Sequence, residues 1–106
     1  MTDIEITRLC AEAMGMGIGS LLAEYRGGPL VLRAIPEGKT YEVPYDPLHD
    51  DAQAMALVKK FCLLIQPPLQ GVDSYWTVTD GGEKASDMNL NRAICGAVAK
   101  MQKARD

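Results

Sequence analysis

The chain offers few side chains for chemistry: one histidine, three cysteines and fourteen acids. His49 stands among Asp46, Asp50 and Asp51. Imidazole beside carboxylates is what many metal sites use. Here the four share one helical turn, where side chains diverge and cannot meet at one ion. A solvated helix start is the expectation, and no metal site. A Ser-His-Asp or Cys-His arrangement would have to use His49, and nothing around it supports one. Cys10, Cys62 and Cys95 contain no Cys-x-x-Cys pair, so neither a zinc ribbon nor a redox motif is implied. Each falls on the apolar stripe of a predicted helix, so buried, reduced thiols are expected. Glu24 and Glu42 lie on predicted strands and can face each other, but no spacing singles out a catalytic carboxylate pair.

Gly15-Met16-Gly17-Ile18-Gly19-Ser20 has the glycine spacing of a phosphate loop. Its context differs, because it follows a helix and precedes a strand. A helix stop is the simpler reading. The aromatics are more suggestive. Tyr41 and Tyr45 flank one strand, and Tyr75 and Trp76 sit on another. Aromatics beside Arg26, Arg33 or Arg92 are what stacking or protein-binding pockets use. Neighbours on a strand point to opposite faces, so Tyr75 and Trp76 have different jobs.

One candidate ligand-binding surface follows: Tyr45, Asp46, Trp76, Asn91 and Arg92. Tyr45 ends a strand and Asp46 is expected to cap the helix after it, so both lie at one end of a sheet. Asn91 and Arg92 occupy the first turns of the last helix, where backbone N–H groups lack helical partners and favour anions. The Arg92 fork suits phosphate or carboxylate. Trp76 offers a stacking face if its side of the sheet is open. The structural alternative is that Asp46 only caps, Arg92 only pairs with Asp87 or Asp51, and Trp76 is core.

These residues need elements to hold them. Thr2-x-x-Glu5 matches a capping box, and Ile6, Leu9, Cys10, Ala13 and Met14 form one helical stripe. Leu21 to Arg26 and Leu30 to Ile35 read as strands around Gly27-Gly28-Pro29, followed by Thr40 to Val43. Asp46-Pro47 opens the middle helix, with stripe Ala54, Leu57, Val58, Phe61, Cys62 and Ile65, and Pro67-Pro68 stops it. Val72 to Thr79 reads as a strand and Glu83 to Ala85 as a loop. Ser86 or Asp87 then caps a last helix with stripe Leu90, Ile94, Ala97, Val98 and Met101. The order α-β-β-β-α-β-α predicts an α+β fold. Its small mixed or antiparallel sheet has about four strands packed with three helices, in one domain over residues 1–106. Leu9, Leu57, Phe61, Ile94 and Val98 should pack on that one sheet. An open strand edge near Gly27-Gly28 predicts a homodimer.

Composition bounds the rest. Apolar residues are 47% and charged residues 24% of 106, ordinary for a globular chain. No run approaches the roughly 18 residues of a membrane span, and the acidic start leads to no expected secretory leader. A net charge of −3 argues against duplex nucleic acid, whose phosphates need a basic face. Bases gather in the last helix, where Arg92, Lys100, Lys103 and Arg105 meet no acid.

Three segments, in order, resemble the phage ABA sandwich domain family, close to the NinX-like small phage proteins. The first is Thr7-Arg8-Leu9-Cys10-Ala11-Glu12-Ala13-Met14-Gly15. The second is Tyr45-Asp46-Pro47-Leu48-His49-Asp50-Asp51-Ala52-Gln53-Ala54-Met55. The third is Trp76-Thr77-Val78 with Asn91-Arg92-Ala93-Ile94-Cys95-Gly96-Ala97. The chain departs from the family pattern at Gly96 and in a longer 18–43 hairpin. The resemblance implies helices packed on a small sheet, a phage or prophage gene, and a place in the cytoplasm of a bacterial host. The expectation is a non-enzymatic binding protein with no cofactor. It would act as a counter-defence inhibitor that binds a host protein or sequesters a nucleotide signal. The alternative is a structural or replication accessory protein that only self-associates.

Overall fold

The computed structural model describes residues 1–23, 30–69 and 74–105. The Gly27-Gly28-Pro29 turn, Glu24, Arg26 and Val72 lie outside the described residues. Three helices and six strands form an α+β fold: α1 (Asp3–Ala13), β1 (Gly17–Ala23), β2 (Leu30–Ile35), β3 (Val43–Tyr45), α2 (Asp51–Phe61), β4 (Leu64–Gln66), β5 (Trp76–Thr79), β6 (Lys84–Asp87) and α3 (Leu90–Arg105). The expected single sheet of about four strands is instead two antiparallel three-stranded sheets, β1-β2-β3 and β4-β5-β6. The middle helix therefore joins two sheets rather than two parallel neighbours.

Local chemistry explains each start and stop. Thr2 Oγ1 accepts from the Glu5 N–H at 3.2 Å and caps α1. Asp46 does not cap α2. Its carbonyl accepts from the N–H groups of His49 and Asp50, closing a separate turn around the buried Pro47. Asp50 is the cap, with Oδ1 accepting from Gln53 N–H at 2.9 Å. Cys62 then ends α2 in the left-handed conformation, φ 51°. That stop comes before Pro67, so Leu64 to Gln66 are free to form β4. Cys62 is exposed, whereas Cys10 and Cys95 are buried. Asn89, not Ser86 or Asp87, caps α3: its Oδ1 accepts from Arg92 N–H at 3.0 Å. Ser86 and Asp87 belong to β6, paired with Thr77 and Trp76.

α3 is the centre of the molecule. It packs on α1, α2, β5 and β6, while α1 packs on β1 and β2. The helices do not stack on one sheet: α1 and α2 pack on α3, with one sheet against α1 and another against α3. Ala93, Ile94, Cys95, Ala97, Val98 and Ala99 are all buried. A helix buried nearly all round needs apolar residues beyond one stripe. Its small side chains allow close approach: a Cβ on Gly96 would lie 3.2 Å from the Ala85 Cβ of β6. Of the expected core, Leu57, Ile94 and Val98 are fully buried, but Leu9 and Phe61 are half-buried. The Lys60 ammonium stands 5.9 Å from the Phe61 ring. Extents of 44 × 31 × 22 Å give an elongated body, and the radius of gyration of 14.1 Å exceeds the roughly 13 Å typical of this length.

The two edges of the first sheet differ. At β3, Pro44 lacks an N–H. The Gln53 amide donates to the Pro44 carbonyl at 3.1 Å and accepts from the Asp46 N–H at 2.6 Å. That edge is sealed. β1 carries a bulge between Ile18 and Leu21, where Gly19 and Ser20 oppose Arg33 alone.

Candidate functional site

A cleft of about 220 Å³ opens between the first turns of α1, strands β2 and β3, and the Asp46 turn. Ile4, Val31, Leu32, Leu48 and the Tyr45 ring give it apolar walls, and Asp3, Asp46 and His49 line it with charge. Alternation along β2 and β3 aims Leu32 and Tyr45 inward. The Asp46 turn hangs the carboxylate over the opening. His49 Nδ1 lies 2.9 Å from Asp46 Oδ2, within an exposed pair.

Tyr45 is 5% exposed, and its hydroxyl has no hydrogen-bond partner among the described residues. Burial, with the Cys10 and Cys95 thiols nearby, pushes the phenol up from its ordinary range. The adjacent Cys95 thiol and burial likewise keep Cys10 protonated, and its Sγ donates to the Cys95 carbonyl at 3.4 Å. An unpaired buried hydroxyl costs stability. Tyr45→Phe is therefore expected to stabilise the fold by about 1 kcal/mol in urea melts. A comparable loss instead would mean that the hydroxyl has a partner.

Asn91 and Arg92 are successive helical residues, so their side chains diverge by roughly 100°. The structure sends them to different helices. Asn91 Nδ2 donates to Asp51 Oδ1 at 2.8 Å, at the start of α2. Arg92 donates to Asp3 Oδ2 at 2.9 Å, at the start of α1. Neither expected partner of Arg92, Asp87 or Asp51, makes that ion pair. Asp3 and Asp51 thus stand in the first turns of α1 and α2, where an acid suits the helix dipole, while the neutral Asn89 caps α3. Arg92 reaches the cleft only through Asp3. Asn91 lines a separate, more open hollow with Asp51, Met55 and Leu90. Trp76 does not join either. It shares the inward face of β5 with the buried Val78 and packs against the core. Tyr75 takes the outer side, lining a groove with Leu69 and Thr77.

The candidate surface therefore divides. Tyr45 and Asp46 share a cleft, Arg92 braces its rim, and Asn91 and Trp76 lie elsewhere. Sequence reasoning missed Asp3, Ile4, Val31 and Leu48; only the packing of α1 beside β2 brings them to Tyr45. Glu42 sits over Gly19 with Arg33 Nε at 3.5 Å and the Ser20 hydroxyl at 3.2 Å, a surface cluster; Glu24, expected to face it, lies outside the described residues. Among the described residues no group of three His, Cys, Asp or Glu side chains is gathered to hold a metal.

The Arg92 hydrogen bond holds the Asp3 carboxyl below its ordinary value of 3.8. A lowered carboxyl stabilises the fold fully above that ordinary value, and the contribution is lost as pH falls through the lowered one. The Asp3 side chain is 55% exposed, so solvent screening limits the pair to about 0.5 kcal/mol. In an NMR titration, Arg92→Gln should move the Asp3 midpoint upward and cost that small amount near neutral pH. An unmoved midpoint would mean that the ion pair does not persist in solution.

No family model, curated protein or solved structure matches this chain. No described helix is long and apolar enough to cross a membrane.

Proposed function

We propose that this chain is a phage-encoded, non-enzymatic binding protein that acts on a protein of the infected bacterial host. The cleft at Tyr45 and Asp46 is its contact site. Its size and charge carry the reading. Small-molecule sites usually run from about 300 to 1,000 Å³. This cleft, at about 220 Å³, suits one anchoring side chain of a protein partner. Apolar walls under Asp46, whose carboxylate meets the exposed His49 while Asp3 is held by Arg92, favour a basic side chain, whose stem is apolar and whose head is charged. A nucleotide is disfavoured, because its phosphates would meet these carboxylates while Arg92 is engaged by Asp3. The phage origin, the host cytoplasm and a counter-defence role rest on the sequence resemblance.

The test is affinity capture from infected-cell lysate with the wild type and Asp46→Lys, beside a screen for co-purifying nucleotides. Asp46 is at the surface and its carbonyl makes the turn, so the variant should melt within about 1 kcal/mol of wild type. The expected result is one host protein captured by wild type and lost with Asp46→Lys. Equal capture by both, or a bound nucleotide in place of a protein, would overturn the reading.

A further inference from the structure

We propose that two copies of this chain join edge to edge through β1, antiparallel about a two-fold axis, so that their first sheets form one six-stranded sheet. The proposal is independent of the cleft. β1 is the outermost strand of its sheet, seven residues long, and carries no charge and no proline. Such an edge presents unpaired backbone groups to any strand that fits. The other edge of the same sheet is sealed by Pro44 and Gln53. In the second sheet, β4 has three residues, and β6 has α3 against it with Lys100 donating to the Lys84 carbonyl. Among the described edge strands, β1 is the longest that carries no charge and no proline, and its bulge is the blunting device it does carry.

The bulge gives this edge an apolar seam. Ile18 pairs with Ala34 and Leu21 with Leu32, so the two-against-one register turns both to the face covered by α1. They remain 39% and 43% exposed. With Ile4, Arg8 and Leu32 they line a groove at the sheet margin.

Charge identifies the occupant as a second copy. α1 runs along the same margin and exposes Glu5, Arg8 and Glu12. Arg8 has no ion-pair partner among the described residues. A two-fold axis through the sheet lays α1 beside its copy in the opposite direction. With the axis midway between Ile18 and Leu21, beside Ile4 and Arg8 of the groove, each Arg8 comes against Glu5 of the other copy. Strand pairing supplies affinity, and the apolar seam with these charges supplies the match.

Light scattering across micromolar concentrations tests this. Wild type should give twice 11.5 kDa. Ile18→Lys and Leu21→Lys, each checked by its circular dichroism melt, should each weaken the dimer by about 100-fold, since each buries a charge against the apolar seam twice per dimer. Arg8→Glu should weaken it, and adding Glu5→Arg should restore it. Asp46→Lys should leave it intact. Should a lysine variant not fold, amide exchange in wild type still decides: residues 17–21 should exchange more slowly as concentration rises. A wild-type mass of 11.5 kDa at all concentrations would overturn the proposal. So would a dimer that survives both lysine substitutions, exchange at 17–21 indifferent to concentration, or an edge that pairs only with another protein's segment.

Discussion

Ile94→Ala is expected to destabilise the fold by about 2–5 kcal/mol, the range for truncating a fully buried aliphatic side chain. Ile94 has no exposed surface and sits on α3, the helix against which α1, α2 and the second sheet all pack. A void there opens where several elements meet, so no single one can shift to fill it. Phe61→Ala makes the control. Phe61 is half-buried at the end of α2 with a lysine over its ring, so its loss should be smaller, about 1–2 kcal/mol. Urea melts of the two variants measure the order. A larger loss at Phe61 than at Ile94 would mean that α3 is not the centre of the core.

Gly19→Ala is expected to cost about 1–3 kcal/mol, although the residue lies on a strand at the surface. A Cβ at Gly19 would lie 2.6 Å from the Arg33 carbonyl and 2.5 Å from Glu42 Oε1. The glutamate can swing away; the carbonyl belongs to the neighbouring strand and cannot. The bulge must open, and the pairing of Ile18 and Leu21 with β2 is disturbed with it. Ser20→Ala, one residue on, removes only an exposed hydrogen bond to Glu42 and should cost a few tenths of a kcal/mol. Equal melting of both variants would show that the bulge closes differently in solution. The glycines after α1 thus do more than end a helix: the third is required by close approach of two strands.

The sequence carried the order of the helices plainly, because capping and periodicity are local. Thr2 caps α1 as expected, and the stripe at Ala54 and Leu57 faces the core. What it did not carry depends on contacts between distant residues. α2 stops at Cys62, a residue with no local preference for a left-handed cap, so its stripe reads on to Ile65 and hides β4. Lys84 to Asp87 pair only because β5 lies beside them. The run Ala93-Ile94-Cys95-Gly96-Ala97-Val98-Ala99 did hold a signal: few polar residues and many small ones mark a helix surrounded by neighbours. At the site, Tyr45 and Asp46 were legible from their place at a strand end. Arg92 was legible as a cation but not its partner, since Asp3 is brought to it by packing of the first helix on the last. Trp76 fell on the inward face, which strand alternation alone could not choose.

The most direct measurement is site-specific photo-cross-linking from position 31 in infected cells, with a photoreactive phenylalanine in place of Val31. Val31 is half-buried and lines the cleft beside Asp46, so the probe samples what enters it. The expected result is a covalent adduct with one host protein that disappears when Asp46→Lys is combined with the probe. No host adduct, or one unchanged by Asp46→Lys, would contradict a binding role for the cleft.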